Sequence, residues 1–466
     1  MGRDTQLLRA PGLVPIAGGR SAAVEAGWRD VGGRRVGWFQ VDGGKHHGAI
    51  GGAEADVIER LVKAATAVGV PIVGVLSTSG AEITEGVAAL HHWGRVTRAA
   101  VAASGVVPIM AVVTGPCVSG ASLLLGIADL VVMTADAFAY VCGPAAVATF
   151  IGHEIDSARL GGAAVHARHT GVASVVVSDT EHALEVVAEL LSYLPSNNVD
   201  EAPAWPPIDS PDRLCTRAAS IVPAAGTSSY DVKHVLTDVV DADSFFELRP
   251  RFAPNLVTGF ARLDGRSIGV VANQPSELAG TLHIEASQKG AAFVQLCDAF
   301  NVPLLTFVDT PGYQPGKDLE WRGIIRHGAQ LVHAYADAKV PRLSVILRKA
   351  YGGAYIVMDS KTLGNDYCCA WPQAEVAVMG ASGAVAVLHG RRLAGIEDEV
   401  DREIERAALE QEYEQRYSTP HEALERGYID EIIDPLETRH VLVDALRAWT
   451  TKRELLPRRQ HSNIPL

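Results

Sequence analysis

Cysteine is scarce in this sequence and follows no pattern. The six cysteines among 466 residues include no CxxC pair, and Cys368 and Cys369 are neighbours. Disulfide-rich and zinc-ribbon proteins need regularly spaced cysteines, so neither class fits. His46 and His47 are adjacent, with no acidic third ligand in view, which argues against a metal site. We expect buried or free thiols in a reducing, cytoplasmic setting and no metal.

The chain also lacks an excess of positive charge and an unbroken membrane-length apolar run. Lys and Arg number 41 against 54 Asp and Glu, so the formal net charge is −13 and no basic face large enough for nucleic acid stands out. The N-terminal stretch MGRDTQLLRAPGL has no apolar signal core. Residues 105–133 are strongly apolar, but Gly115-Pro116, Ser119-Gly120 and Asp129 interrupt them, which favours a buried strand, turn and helix. Nucleic acid and membrane are not expected partners.

What is present suits a globular α/β protein of two domains. Apolar residues make up 48% of the chain, and 45 glycines fit a fold rich in turns. A chain of 466 residues exceeds what one core usually supports. Segment 195–214 holds five prolines without apolar periodicity, which is typical of a linker. We therefore predict domains over 1–194 and 230–466, joined by a linker over 195–229.

The two halves repeat one spacing. Pro71, Pro108 and Gly120 are separated by 37 and 12 residues, whereas Pro303, Pro341 and Gly353 are separated by 38 and 12. A period near 232 residues indicates two copies of one domain. Strands that alternate with helices in both copies predict mostly parallel sheets.

Local patterns predict several elements of these copies. Helical spacing of apolar residues predicts a helix from about Ala53 that leads to a strand over Ile72–Leu76. Gly32-Gly33 and Asp264-Gly265 predict two hairpin turns. The charged run DREIERAALEQEYEQRY predicts a late helix, and the final RRQHSNIPL an extended tail.

The run RKAYGGAYIVM, residues 348–358, places Gly352 and Gly353 where a strand would turn into a helix. Backbone N–H groups at such a turn attract a developing negative charge. An ordinary strand-to-helix turn is the alternative for one glycine pair, but the repeat puts a second such turn at Gly120. Two backbone anion holes suit chemistry that passes through an enolate, because a thioester α-carbon loses its proton only if the carbonyl oxygen can carry charge.

From Tyr230 to Leu466 the chain closely resembles the β (carboxyltransferase) subunit of biotin-dependent acyl-CoA carboxylases of the acetyl/propionyl-CoA type. The matching runs are YDVKHVL, DADSFFEL, FVDTPGYQPGKDLEWRGIIRHGAQLVHAYADAKVP, RKAYGGAYIVM, AWPQAEVAVMGASGAV, ERGYIDEIIDP and NIPL. The first half is similar to the family's N-terminal domain in layout, from Val41-Asp42-Gly43-Gly44 through Glu85-Gly86 to VCGPAAV. The resemblance implies an α/β fold of two tandem crotonase-like (ClpP/crotonase) domains.

The resemblance further implies transfer of CO2 from carboxybiotin to the α-carbon of an acyl-CoA thioester. In the family, biotin is attached to a separate carrier, so the implied partner is a biotin carboxylase/biotin carrier α subunit, and six copies of the chain form a hexamer. One hole would hold the thioester enolate and the other the ureido oxygen of biotin. No side chain needs to be a strong base, because the ureido nitrogen of biotin can take the α-proton.

Site residues follow from the motif matches. The resemblance implies a first hole at Ser119 and Gly120 and a second hole at Gly353 and Ala354. The implied substrate-binding residues are Gly80, Ala81, Gly352, Tyr355 and Ile356. The position of Ile356 commonly shapes the acyl pocket in this family, so an apolar residue there favours a short or apolar acyl group. A core isoleucine is the alternative.

Departures from the family lie almost entirely in the first domain. Glu82 stands where the family has arginine, the family's AGG has become Val118-Ser119-Gly120, and Leu123 and Leu124 occupy the place of a tyrosine. A carboxylate near an anionic CoA weakens binding, although Glu82 could be a surface residue in a drifted loop. We therefore keep open a specialised acyl thioester as acceptor. Two further alternatives are a decarboxylase or transcarboxylase acting on a malonyl-type thioester, and a non-catalytic partner of an active paralogue.

Overall fold

The chain folds into two compact units. The computed structural model describes residues 12–223, 226, 228–452, 454, 463 and 465. The first unit holds residues up to Pro203 with Ala299–Asn301, and the second holds Ala204–Asp298 with residues from Val302 onward. The first eleven residues and most of the RRQHSNIPL tail, for which an extended form was predicted, lie outside the described residues.

The first unit mixes eight strands with seven α-helices in its described part. Its strands are β1 (Val14–Arg20), β2 (Val24–Val31), β3 (Arg34–Val41), β4 (Ile72–Thr78), β5 (Ile109–Val118), β6 (Leu130–Thr134), β7 (Phe138–Tyr140) and β8 (Val175–Val177). Its helices are α1 (Gly52–Val68), α2 (Val87–Ala103), α3 (Leu123–Ile127), α4 (Pro144–Ile151), α5 (Ser157–Gly161), α6 (Ala163–Val165) and α7 (Thr180–Tyr193).

The second unit has a similar set. Its strands are β9 (Phe246–Leu248), β10 (Leu256–Leu263), β11 (Arg266–Asn273), β12 (Leu304–Thr310), β13 (Arg342–Tyr351), β14 (Tyr367–Ala370), β15 (Glu375–Ala377) and β16 (Glu431–Ile432). Its helices are α8 (Thr216–Ile221), α9 (Lys233–Val239), α10 (Ile284–Ala299), α11 (Lys317–Trp321), α12 (Ile324–Asp337), α13 (Gly352–Val357), α14 (Ala381–Ala394), α15 (Glu399–Tyr417), α16 (Pro420–Glu425) and α17 (Thr438–Trp449).

Each unit is built on one mixed sheet. The first sheet runs β1-β2-β3-β4-β5-β6-β8 with β7 beside β5, and the second runs β16-β14-β13-β12-β11-β10-β9 with β15 beside β13. In each sheet an antiparallel meander leads into parallel strands, β4–β6 and β12–β14 among them. The same order of elements recurs about 232 residues later, for example β4 at Ile72 and β12 at Leu304. The predicted repeat and the predicted parallel pairing are confirmed.

The hairpins form where the dipeptides predicted them. Gly32 and Gly33 have φ of +59° and +78°, and Asp264 and Gly265 have +53° and +75°. Two consecutive positive φ values make the tight turn whose twist matches paired strands. The registers Val31↔Arg34 and Leu263↔Arg266 close the two hairpins.

The predicted helices and the apolar stretch also take their expected form. Helix α1 begins at Gly52, one residue before its prediction, and buries Ile58, Leu61 and Ala65. The run around Gly105–Met133 forms β5, a turn, α3 and most of β6. Among the described residues, no helix is long and apolar enough to cross a membrane.

The predicted linker, residues 195–229, contains a helix that the pattern did not predict. Residues 195–214 have no helix or named strand, but α8 follows immediately. Cys215 and Ala218 are fully buried in the core of the second unit. The chain from Ala204 onward, α8 included, therefore belongs to the second unit, whereas residues up to Pro203 belong to the first.

Candidate functional site

In the second unit, β13 ends at Tyr351 and α13 begins at Gly352. Gly352 has φ of +57°, a left-handed conformation that glycine adopts without cost. The N–H groups of Gly352, Gly353 and Ala354 belong to the first turn of α13, so no carbonyl of the helix accepts from them. The predicted turn from strand to helix is confirmed, and Gly353 is exposed there.

A cavity of about 730 Å³ opens beside this turn. Gly352, Gly353, Tyr355 and Ile356 line it, whereas the side chain of Ala354 is fully buried beneath. The remaining walls come from Val376, Ala377, Val378, Leu388, Tyr413, Tyr417, Glu422, Ala423, Arg426 and Tyr428. Ile356 is 48% exposed, so the alternative of a core isoleucine is wrong.

A buried network supports the end of β13. The Arg348 guanidinium donates through Nε to Oδ2 of Asp309 at 3.1 Å, and the Tyr230 hydroxyl donates to the same oxygen at 2.8 Å. The backbone N–H of Lys349 donates to Oδ1 at 3.1 Å. Burial raises the pKa of Asp309, and the Arg348 charge opposes that rise. The carboxylate therefore ties β12 to β13 three residues before the glycine turn.

The first unit has the corresponding turn, with a serine where the second has glycine. Strand β5 ends at Val118, and a single 3-10 turn follows over Ser119–Ser122. Ser119 has φ of +60°, which matches Gly352. A Cβ placed on Gly80 would lie 3.0 Å from Cβ of Ser119. The structure thus brings the predicted residues Gly80, Ala81, Ser119 and Gly120 together.

The loop that carries Ala81 leaves one amide unused. The Ile50 N–H donates to the Gly80 carbonyl at 2.8 Å, and the Glu82 N–H donates to the Ile50 carbonyl at 2.9 Å. Between them, the Ala81 N–H has no acceptor within the described part of the chain. An amide held in this way can serve a ligand oxygen.

The second unit repeats this loop, and the sequence reasoning missed it. The Leu282 N–H donates to the Gly312 carbonyl, and the Gln314 N–H donates to the Leu282 carbonyl, at 3.1 and 2.8 Å. The Tyr313 N–H between them again has no acceptor among the described residues. Adding the repeat period of 232 to Gly80 and Ala81 would have identified Gly312 and Tyr313.

An aromatic ring faces Gly353 in the second turn and Gly120 in the first. A Cβ on Gly353 would lie 3.7 Å from the Tyr313 ring, and a Cβ on Gly120 would lie 3.5 Å from the Trp93 ring. Burial raises the pKa of Tyr313 to about 12 and also raises the pKa of Tyr355. Both phenols are therefore protonated at neutral pH and are poor bases.

The backbone aligns the two turns differently from the predicted pairs. Matching φ values pair Ser119 with Gly352, and so Gly120 with Gly353. The predicted first hole (Ser119, Gly120) and second hole (Gly353, Ala354) are offset by one residue in this alignment. Both assignments stay predictions.

Glu82 has a local role next to the first turn. Its carboxylate accepts from the backbone N–H and the hydroxyl of Thr84, at 3.0 and 2.7 Å. These hydrogen bonds, the one from the hydroxyl first, lower its pKa, so the group is ionised at neutral pH. The equivalent residue of the second unit is the uncharged Gln314.

The described residues contain no group of three or more His, Cys, Asp or Glu side chains arranged to hold a metal ion. His46 and His47 are exposed on a turn with positive φ. All six cysteines are free thiols, and only Cys142 is exposed. The prediction of buried or free thiols is confirmed.

Known proteins are similar to this chain in sequence and in fold. The model of the carboxyl transferase domain family matches residues 17–464. The carboxyltransferase subunit of propionyl-CoA carboxylase from Haloferax mediterranei is 44% identical over 444 residues, which cover 95% of this chain and 86% of that protein. Methylmalonyl-CoA decarboxylase subunit alpha from Veillonella parvula is 39% identical and covers 95% of this chain, with 85% of its own length aligned.

The fold has a close match among solved structures. A transcarboxylase 12S structure, described as a hexamer with methylmalonyl-coenzyme A and methylmalonic acid bound, superposes with a TM-score of 0.92 at 39% identity. The match covers 95% of this chain and 85% of that one. The mixed α/β fold with two sheets is therefore that of the transcarboxylase core.

Proposed function

The chain belongs to the carboxyl transferase family as a carboxyltransferase of the biotin-dependent acyl-CoA carboxylases, and we propose that it carboxylates a short, apolar acyl-CoA such as propionyl-CoA. The choice of propionyl-CoA as acceptor is supported by the relative of 44% identity, which is named as a subunit of propionyl-CoA carboxylase. The apolar Ile356 beside the glycine turn supports a small hydrophobic acyl group.

The proposed catalytic groups are backbone amides rather than acids or bases. Two oxygens gain charge in the reaction, and each would be held in one hole. The first hole would be formed by Ser119 and Gly120, with Gly80 and Ala81 at its edge. The second would be formed by Gly353 and Ala354, with Gly352 and Tyr355 beside it. To these we add the unused N–H groups of Ala81 and Tyr313. Fixed donors contribute most when they face charge that develops only in the transition state.

Biotin, carried on a separate subunit, would supply the carboxyl group and the nitrogen that accepts the α-proton. The cavity of about 730 Å³ beside Gly352 has room for a fused bicyclic ring. Its walls are mostly apolar and aromatic but include Glu422 and Arg426, and backbone donors lie at one side. The protonated tyrosines near the turn agree with a site that needs no side-chain base.

The finer organisation rests on the family. We propose crotonase-like domains over 1–194 and 230–466 with a linker over 195–229, a homohexamer, a biotin carboxylase/biotin carrier α subunit as partner, and a cytoplasmic location. The hexamer is supported by the 12S structure, which is described as a hexamer assembly.

A second candidate is removal of a carboxyl group from a malonyl-type thioester. The relative from Veillonella parvula, named a methylmalonyl-CoA decarboxylase subunit, favours it, and the same two holes would serve the reverse direction. A non-catalytic role beside an active paralogue is the third hypothesis. It is supported by Glu82 and Ser119, which depart from the residues that the family has at these positions.

Reconstitution tests the proposal. The purified chain is combined with a biotinylated carrier and its biotin carboxylase, ATP, labelled bicarbonate and a series of acyl thioesters from acetyl to butyryl. We expect acid-stable label on propionyl-CoA first. Label only on an unusual thioester would support a specialised acceptor. No label on any acceptor, together with loss of CO2 from methylmalonyl-CoA, would favour the decarboxylase, and inactivity in both assays would favour the non-catalytic role.

A further inference from the structure

We propose that the Ser119 hydroxyl is an additional, side-chain donor to the oxyanion in the first hole, an inference that rests on the proposed function. The second unit has no counterpart, because Gly352 occupies the equivalent backbone position. The first hole would therefore hold its anion with one more hydrogen bond than the second.

The position of the side chain carries the argument. Cβ of Ser119 lies 3.0 Å from where a Cβ of Gly80 would be, so the side chain stands against the loop that presents the unused Ala81 amide. In the second unit nothing lies within 4 Å of a Cβ built on Gly312, the equivalent of Gly80. Ser119 thus fills space at the first hole that stays open at the second.

The hydroxyl is available to a ligand. Ser119 is exposed, and no hydrogen bond among the described residues uses its Oγ. The local turn is stabilised from another residue, because the Ser122 hydroxyl donates to the Ser119 carbonyl at 2.7 Å. The 3-10 turn therefore does not need the Ser119 side chain.

The backbone makes serine a costly choice at this position. At φ of +60° a residue with a Cβ is strained, whereas glycine is not. Non-glycine residues in this region cluster at functional sites, where the strain accompanies a functional contact. A hydroxyl that binds substrate would explain why a strained serine, and not glycine, occupies this position.

Two variants separate the hydroxyl from the backbone. Ser119→Ala keeps the Cβ and the strain but loses the donor, and Ser119→Gly loses both. We expect each variant to lower kcat roughly tenfold with KM nearly unchanged. The hydroxyl faces a charged oxygen only in the transition state, so its loss raises the barrier and leaves substrate binding unaffected. Ser119→Gly should also melt at a higher temperature than the unsubstituted protein, whereas Ser119→Ala should not.

The assay is the reconstituted carboxylation, with Ser178→Ala as the matched control. The Ser178 hydroxyl donates to Asp179 at the start of α7, and its loss should leave kcat unchanged. Full kcat in Ser119→Gly or Ser119→Ala, or a loss confined to KM, would overturn the inference while carboxylation by the unsubstituted protein stands. Failure of the unsubstituted protein to fix label on any thioester would instead refute the proposed function.

Discussion

The two units share one order of elements but differ in what lies beneath their glycine turns. In the second unit, Asp309 and Arg348 form a buried ion pair between β12 and β13. The equivalent residues of the first unit are Ser77 and Gly115, and a Cβ on Gly115 would lie 2.6 Å from Oγ of Ser77. The two adjacent strands are therefore joined by an ion pair in the second unit and by close contact of small residues in the first.

A second contrast lies at the start of the next parallel strand. Asp129 in the first unit and Asp366 in the second accept the N–H of Ile109 and of Arg342, at 2.7 and 2.8 Å. Lys452 lies 2.9 Å from Asp366, whereas no ion pair is described for Asp129. Burial raises the pKa of Asp129 to about 7. One fold thus tolerates different electrostatics at equivalent carboxylates as long as the backbone donors have their acceptors.

The largest expected effect is loss of the buried ion pair. Arg348→Met leaves Asp309 without its charged partner, which should lower the free energy of unfolding by about 3–5 kcal/mol. Urea denaturation measures it. Arg95→Met in the first unit is the matched control, because its pairs with Asp56 and Glu59 are exposed and should cost at most about 1 kcal/mol. Equal losses for the two variants would contradict the contrast between the units.

Removal of one backbone donor from each turn should come next. Gly353→Pro and Gly120→Pro each delete an N–H from the first turn of α13 or of the 3-10 turn, and each should lower kcat about 10²–10³-fold. Gly353→Ala and Gly120→Ala are controls, because a Cβ there would meet only aromatic rings at 3.7 and 3.5 Å. If the proline variants were no slower than the alanine variants, the amides would not be the catalytic groups.

A smaller effect is expected on the pH dependence of stability. Because the folded pKa of Asp129 is raised from 3.8 to about 7, the folded state binds more protons than the unfolded state between those values. Stability should therefore fall as pH rises from about 4 to 7. Asp129→Asn should remove that fall and gain about 1–3 kcal/mol at pH 8. Asp366→Asn, which removes the charge that pairs with Lys452, should destabilise instead; a gain there would argue against the contrast.

The smallest effect concerns Glu82. Glu82→Gln copies Gln314 of the second unit and keeps an acceptor for Thr84. If the carboxylate repels CoA, the KM for the acyl-CoA should fall about two- to fivefold at low salt, and the difference should shrink at high salt. An unchanged KM at both salt concentrations would make Glu82 a solvated surface residue.

Patterns along the chain were enough to predict the repeat, both hairpins and the glycine turn. Gly32-Gly33 and Asp264-Gly265 encode their turns locally, and proline and glycine spacing carries the repeat. Helix α8 was missed because it is short, six residues, and follows a proline-rich run.

The site was predicted less completely, because its chemistry depends on the backbone. An unused N–H at Ala81 or Tyr313 becomes visible only when the neighbouring bonds to Ile50 and Leu282 are known. The left-handed conformation of Ser119 is not a property of serine, so sequence could not reveal it. The pairing of Asp309 with Arg348 joins residues 39 apart on adjacent strands, which no local pattern encodes.

The most direct test of the central claim uses the chain without its partners. Purified protein is mixed with methylmalonyl-CoA labelled in its free carboxyl group and with free biotin, and the label on biotin is measured. We expect label on biotin with the unsubstituted protein and none with Gly353→Pro or Gly120→Pro. No transfer by the unsubstituted protein, or equal transfer by the proline variants, would contradict it.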